Sequence, residues 1–180
     1  LTDWRGVTNN GVVQIPDNST MLVTGSGMTN NGSILVNSNA GPAGGQVRFD
    51  SPGTLGGTGD LSLNAPIGTF NVANLLCNSQ AVVNGADHTI KGNGNIFIDS
   101  GTLTNDGTIA PGLSAGRLDY RGPLTLGATS RLSFEIGGTT QGTQYDWLLK
   151  TDAGTQTLAG DLVVGLINGF VPANSDVFTI

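Results

Sequence analysis

The sequence predicts an all-β chain wound as a parallel β-solenoid, and three observations carry that expectation. Gly, Thr, Asn and Ser fill 79 of the 180 positions, a composition of turns and short strands rather than of helix interiors. One polar unit that ends in Gly and leads into a short apolar run recurs along the chain. No window of about 11 residues carries an apolar stripe at helical spacing, whereas alternation with period 2 is common.

The repeat opens with Thr8-Asn9-Asn10-Gly11-Val12-Val13-Gln14-Ile15, echoed by Thr29-Asn30-Asn31-Gly32-Ser33-Ile34-Leu35-Val36. Looser copies are Gly57-Thr58-Gly59-Asp60-Leu61-Ser62-Leu63, Gly92-Asn93-Gly94-Asn95-Ile96-Phe97-Ile98 and Thr104-Asn105-Asp106-Gly107-Thr108-Ile109. Leu158-Ala159-Gly160-Asp161-Leu162-Val163-Val164 is the last. With the Gly before each strand as marker, the spacings are 21, 27, 35, 13 and 53. Gly and Asn tolerate the left-handed backbone of a sharp corner, and Val, Ile, Leu and Thr suit a pleated, half-buried surface. About 21 residues make one coil, rising about 4.8 Å on its neighbour. Longer intervals then hold loops such as Asn37–Gly45, and the interval of 13 separates two faces of one coil. Asn at equivalent corners is expected to stack in hydrogen-bonded ladders.

An antiparallel β-sandwich for part of the chain is the competing fold, with Asn10-Gly11, Asn31-Gly32 and Asn84-Gly85 as hairpin turns. Irregular solenoid coils are expected over residues 1–116. Residues 117–180 are expected to continue them or to form a β-rich cap with a larger core, because longer alternating strands follow Pro111. These are Leu124–Leu126, Arg131–Ile136, Tyr145–Leu149, Leu162–Leu166 and Val177–Ile180.

Charge and cysteine usage narrow the function classes. Seven basic against 13 acidic residues, with no basic cluster, argue against a nucleic-acid partner. One Cys and one His allow neither an intrachain disulfide nor a His/Cys metal site, and Cys77 beside Leu75 and Leu76 reads as a buried thiol. No apolar run approaches the roughly 20 residues of a membrane span. Leu1–Gly6 holds neither an initiating Met nor a signal-peptide pattern, and Asp176–Ile180 reads as a strand cut short. The chain is therefore expected to be a fragment of a longer protein.

From Ala110 to Ile180 the sequence resembles autotransporter-type and PEP-CTERM-type bacterial surface proteins. Ala110-Pro111-Gly112-Leu113-Ser114-Ala115-Gly116 is similar to their PGxSxG segment. Gly122-Pro123-Leu124-Thr125-Leu126 and Leu132-Ser133-Phe134-Glu135-Ile136-Gly137-Gly138 stand where that family has GxLxL and LxxEIGG. Tyr145-Asp146-Trp147-Leu148, Leu158–Val164 and Gly169–Phe178 continue the likeness, with Ser175 where Gly is usual. The resemblance implies a right-handed parallel β-helix of a secreted or surface-displayed region, structural or adhesive, and carries over no catalytic residue.

The residues offer few rival chemistries. Polysaccharide cleavage needs two carboxylates about 5–10 Å apart, yet Asp17, Asp60, Asp106, Asp152 and Asp161 sit in turn-like sequence and the one Glu, Glu135, in a strand. Asp87-His88 could belong to a triad with Ser79 or Ser100, but no Gly-x-Ser-x-Gly elbow exists, so His88 reads as a solvated loop residue. Gly56-Gly57-Thr58-Gly59-Asp60 resembles a calcium-binding nonapeptide with its Asp one residue early, and Lys91–Ile96 lacks the third Gly of a dinucleotide loop. Thr102 and Thr104 form one Thr-x-Thr of the kind that orders ice, with none stacked behind it. Trp4, Trp147, Tyr120 and Tyr145 could line a sugar groove but read first as core or cap residues.

The reading is a non-enzymatic structural module of an extracellular or bacterial cell-surface adhesin, sheath or filament. It is expected to self-associate through solenoid ends or strand edges, to have no catalytic, cofactor or metal site, and to meet a cell-surface glycan at most. The alternative is a polysaccharide-binding or polysaccharide-cleaving β-helix protein.

Overall fold

The computed structural model describes residues 2–66, 68–69 and 72–180; Leu1 of the N-terminal stretch lies outside them. Among the described residues there is no helix, and therefore none long and apolar enough to cross a membrane. The described residues form nineteen strands that follow one another in seven coils. The first three coils hold β1 (Thr2–Arg5), β2 (Thr8–Asn9) and β3 (Val12–Ile15); β4 (Ser19–Thr24), β5 (Gly27–Asn30) and β6 (Ser33–Val36); β7 (Gly45–Phe49), β8 (Gly53–Gly56) and β9 (Asp60–Asn64). The fourth holds β10 (Ala73–Leu76), β11 (Ala81–Asn84) and the first half of β12 (Thr89–Phe97), whose second half opens the fifth with β13 (Thr102–Asn105) and β14 (Thr108–Pro111). Then come β15 (Arg117–Arg121), β16 (Leu124–Leu126) and β17 (Arg131–Ile136), and finally β18 (Trp147–Lys150) and β19 (Asp161–Leu166).

Each strand pairs in parallel with its equivalent one coil away. Sheet A is β1-β4-β7-β10-β12-β15-β18 and sheet B is β2-β5-β8-β11-β13-β16. Sheet C is β3-β6-β9-β12-β14-β17-β19. The antiparallel sandwich is thereby overturned: between named strands every pairing is parallel, and antiparallel contact is limited to the isolated bridges Gly92–Gly112 and Ile136–Tyr145. The Asn-Gly pairs turn the chain from sheet B to sheet C instead of reversing it. The ladders cross residues 116–117 without a break.

Register explains the irregular spacings. Val13, Ile34, Leu61, Ile90, Ile109, Leu132 and Leu162 lie opposite one another in sheet C. From Ile34 to Leu132 this column is buried, while Leu162, on a strand paired only with β17 among the described residues, is 57% exposed. Burial of such a side chain stabilises by about 1.5–3 kcal/mol, and each obtains it from the coils on both sides. The corner before this column is Gly11, Gly32, Gly59, His88, Gly107, Ser130 and Gly160, because Thr89 lies opposite Asp60 and Thr108. Gly94 is not one of this series: Gly92–Ile98 lies largely within β12, which passes from sheet C to sheet A. Gly32 and Gly59 are needed for close stacking, since a Cβ at Gly32 would come within 1.9 Å of the Gly11 carbonyl oxygen and one at Gly59 within 2.0 Å of that of Gly32.

Insertions gather at the corner from sheet C to sheet A: 37–44, 65–72, 112–116 and 137–146. Between β3 and β4 the corner takes the three residues Pro16–Asn18, and β12 passes it with no loop. A strand expected at Val177–Ile180 is not formed; the chain after β19 folds back, with Gln141 Nε2 donating to the Thr179 carbonyl (2.7 Å) and Phe178 edge-to-face with Tyr145 at 5.2 Å.

Candidate functional sites

The corner between sheets B and C holds a buried polar column. Asn9 Nδ2 donates to Asn30 Oδ1 (2.8 Å), and Asn84 Nδ2 to Asn105 Oδ1 (2.6 Å). Asn105 Nδ2 donates on to Ser130 Oγ (2.6 Å). The expected ladder therefore forms, but in two pieces, because the third coil offers glycine: Gly56 lies opposite Thr29, which puts Gly57 where the Asn stack would continue. His88 closes the gap from the fourth coil. Its Nε2 lies 3.1 Å from Asn30 Nδ2 and its Nδ1 2.8 Å from Asn84 Oδ1.

Backbone carbonyls determine the proton positions. Asn30 Nδ2 also donates to the Asp60 carbonyl (3.0 Å) and Asn84 Nδ2 to the His88 carbonyl (3.3 Å), so both amides are oriented. Nε2 must then accept, and the proton sits on Nδ1. A second proton on Nε2 would face the Asn30 amide donor. Burial accordingly pushes His88 down to about 4, against the opposing pull of Asp60. The solvated loop histidine expected from the sequence is thus a fully buried one. It is tied to neither Asp87, Ser79 nor Ser100, so the residues proposed for a triad do not converge.

A second buried cluster joins the pieces of the family resemblance. Asp146 Oδ1 accepts from the Gly116 N–H (2.8 Å) and Oδ2 from the Glu135 N–H (2.7 Å). The Asp146 N–H donates to the Glu135 carbonyl and the Trp147 N–H to the Gly116 carbonyl, both at 2.9 Å. The loop 112–116 is thus pinned to β17 by one carboxyl group. Gly112 turns there with φ of 83°, and a Cβ would lie 1.8 Å from the Ser114 carbonyl oxygen. Burial pushes Asp146 up to about 7, outweighing the two N–H bonds and assisted by the Glu135 charge. The Glu135–Asp146 neighbourhood escaped the sequence reading; the two resemblance segments that carry them were its only signal. With both oxygens held by backbone donors and the group buried, Asp146 is a fastening rather than a proton carrier.

The remaining sequence candidates stay apart. Asp60 accepts from the Ser33 and Ser62 hydroxyls (3.1 and 2.7 Å) and faces Lys91 Nζ at 3.4 Å, so the nonapeptide-like run serves the corner. Among the described residues no group of three or more His, Cys, Asp or Glu could hold a metal ion. Cys77 is buried and its thiol pushed up to about 12 by burial, which leaves it unreactive in the fold. Thr104 lies between Val83 and Thr125, so no regular Thr array forms. Of the four aromatics, Tyr120 and Tyr145 are buried and Trp4 packs on the core; Trp147 alone faces outward, beside a cleft on sheet A.

Comparison of the chain with protein-family models, curated proteins and solved structures returned no match.

Proposed function

We propose that this chain is a non-enzymatic, right-handed parallel β-helix module of a secreted bacterial cell-surface adhesin, sheath or self-assembling filament. The autotransporter-type and PEP-CTERM-type likeness of residues 110–180 supports the surface setting. The stacked ladders support the mechanical role, because each coil lends backbone hydrogen bonds and apolar cover to the next. One observation carries self-association: among the described residues β19 is paired on one side only, and Leu162, Val164 and Leu166 on it stand exposed. Opposite this edge a second copy offers β3, where Gly11 leads into Val12–Ile15 as Gly160 leads into Asp161–Val164. Such head-to-tail contact does not close on itself and builds a filament.

Analytical ultracentrifugation of the chain across a wide concentration range, with electron microscopy of the same samples, tests this. Concentration-dependent rods are expected, dispersed by Leu162→Asp. A monomer at every concentration overturns the self-assembly reading. Imaging of native cells with an antibody against the chain tests the surface setting, which a purely intracellular signal overturns.

A further inference from the structure

We infer that the outer face of sheet A around β15 binds a neutral polysaccharide, with one sugar unit held in the notch beside Trp147. The notch follows from the topology. The chain makes a loop between β9 and β10 and between β17 and β18 at this corner, whereas β12 runs through it, turning at Gly92 with φ of 108°. A gap of about 170 Å³ is left between Pro66, Gly68 and Thr69 on one side and Gln141–Thr143 on the other. That is below the roughly 300–1,000 Å³ taken by drug-sized ligands, and it opens onto the sheet surface, so it fits one ring of a longer chain.

Its lining has the chemistry that a polyhydroxylated, uncharged ring requires. Trp147 lines the cleft, half-buried on the outward side of β18, with the Arg117 guanidinium 4.4 Å over its ring. Gly142, with φ of 71°, keeps the indole edge uncovered: a Cβ there would reach Trp147 Cε3 at 3.8 Å. Arg117 is paired through two bonds, of 2.6 and 2.7 Å, with Asp119, so the wall is polar yet carries no net charge. Asn93, Gln141 and Thr143 add amide and hydroxyl groups that both donate and accept. The C–H face of a pyranose packs on an aromatic ring while its hydroxyls pair with such groups in plane.

A second aromatic side chain extends the surface. Phe97 faces outward on β12 under the Arg121 guanidinium, 5.0 Å from its ring centroid, and Arg121 is paired with Asp99 at 2.6 Å. Arg117 and Arg121 share one face of β15, four residues or about 13 Å apart. Neither Trp147 nor Phe97 points into the solenoid core, because their neighbours Leu148 and Ile96 take the inward positions. One stacking ring at Trp147, followed along a charge-balanced face by Phe97 between Leu76 and Arg121, therefore suits an extended chain of sugars and disfavours an acidic one. The inference does not depend on whether the chain forms filaments.

Calorimetric titration of the whole chain with linear hexamers of neutral sugars (glucose, mannose, galactose and N-acetylglucosamine in different linkages), beside an acidic galacturonate hexamer, tests it. At least one neutral hexamer is expected to bind, with an affinity unchanged when salt is raised enough to screen surface charges. Trp147→Ala is expected to weaken binding by about tenfold or more and Phe97→Ala by less, while Asn10→Ala, at the corner between sheets B and C, leaves it unchanged. Should Trp147→Ala fail to give the wild-type circular dichroism spectrum, Gln141→Ala and Phe97→Ala carry the comparison. The inference is overturned if no neutral hexamer binds, if only the acidic one does, or if binding survives the cleft substitutions.

Discussion

The middle coils and the last coil are built from the same kinds of residue, yet they differ in what surrounds them. Ile34, Leu61, Ile90 and Ile109 are sealed between coils, whereas Leu162, in the same column, has β17 on one side and solvent on the other. The polar residues differ likewise. In the first to fifth coils neutral amides and one imidazole satisfy one another along the corner, while the later coils are fastened by the carboxyl group of Asp146. What makes a core position in this protein is having a neighbour both above and below, more than the residue type.

Ile90→Ala sharpens that contrast most. It should cost about 2–5 kcal/mol in chemical denaturation, against less than about 1 kcal/mol for Leu162→Ala; equal costs would erase the distinction. Asn84→Ala should follow at about 3 kcal/mol, because it leaves the His88 Nδ1–H and Asn105 Oδ1 buried without these partners. Thermal unfolding of the variant checks this.

Acidity separates the two regions by sign. His88 falls from 6.5 to about 4 on folding, so its contribution is whole above pH 6.5 and is lost as pH drops through about 4, a change of about 3 kcal/mol. Asp146 rises from 3.8 to about 7, so its contribution is whole below pH 3.8 and is lost as pH climbs through about 7. The slopes oppose each other, and the wild-type melting temperature should change little between pH 4 and 7. Asp146→Asn should uncover a fall on acidification, and His88→Asn a fall on raising the pH. Smallest of all, Arg121→Ala should shift stability by no more than about 0.5 kcal/mol, since its pairing with Asp99 is exposed; a larger loss would assign the outer face of sheet A a structural role.

Much of this fold was legible because Asn-Asn-Gly occurs twice with the same apolar pattern behind it, and those copies lie opposite one another in the ladders. The spacing of 53 between Gly107 and Gly160 hid two coils, because Ser130 holds the intervening corner. His88 was illegible for a related reason: its value lies in reaching past a glycine coil to Asn30, a contact between residues 58 apart in sequence. Gly92 and Gly94 carried the sign of a turn but belong to a strand bending around a corner. The notch beside Trp147 exists only because that bend lacks a loop, and no local pattern announces a missing insertion.

The corner column has one further property. From Asn9 through Asn30, His88, Asn84 and Asn105 to Ser130, every side-chain donor passes its hydrogen onward in a single direction. The small moments of these groups add rather than cancel, as peptide moments do along a helix. The stacked strands therefore have an electrical arrow as well as a chain direction, negative at the Asn9 end and positive at the Ser130 end. Two such columns brought end to end would attract when their arrows agree and repel when they oppose.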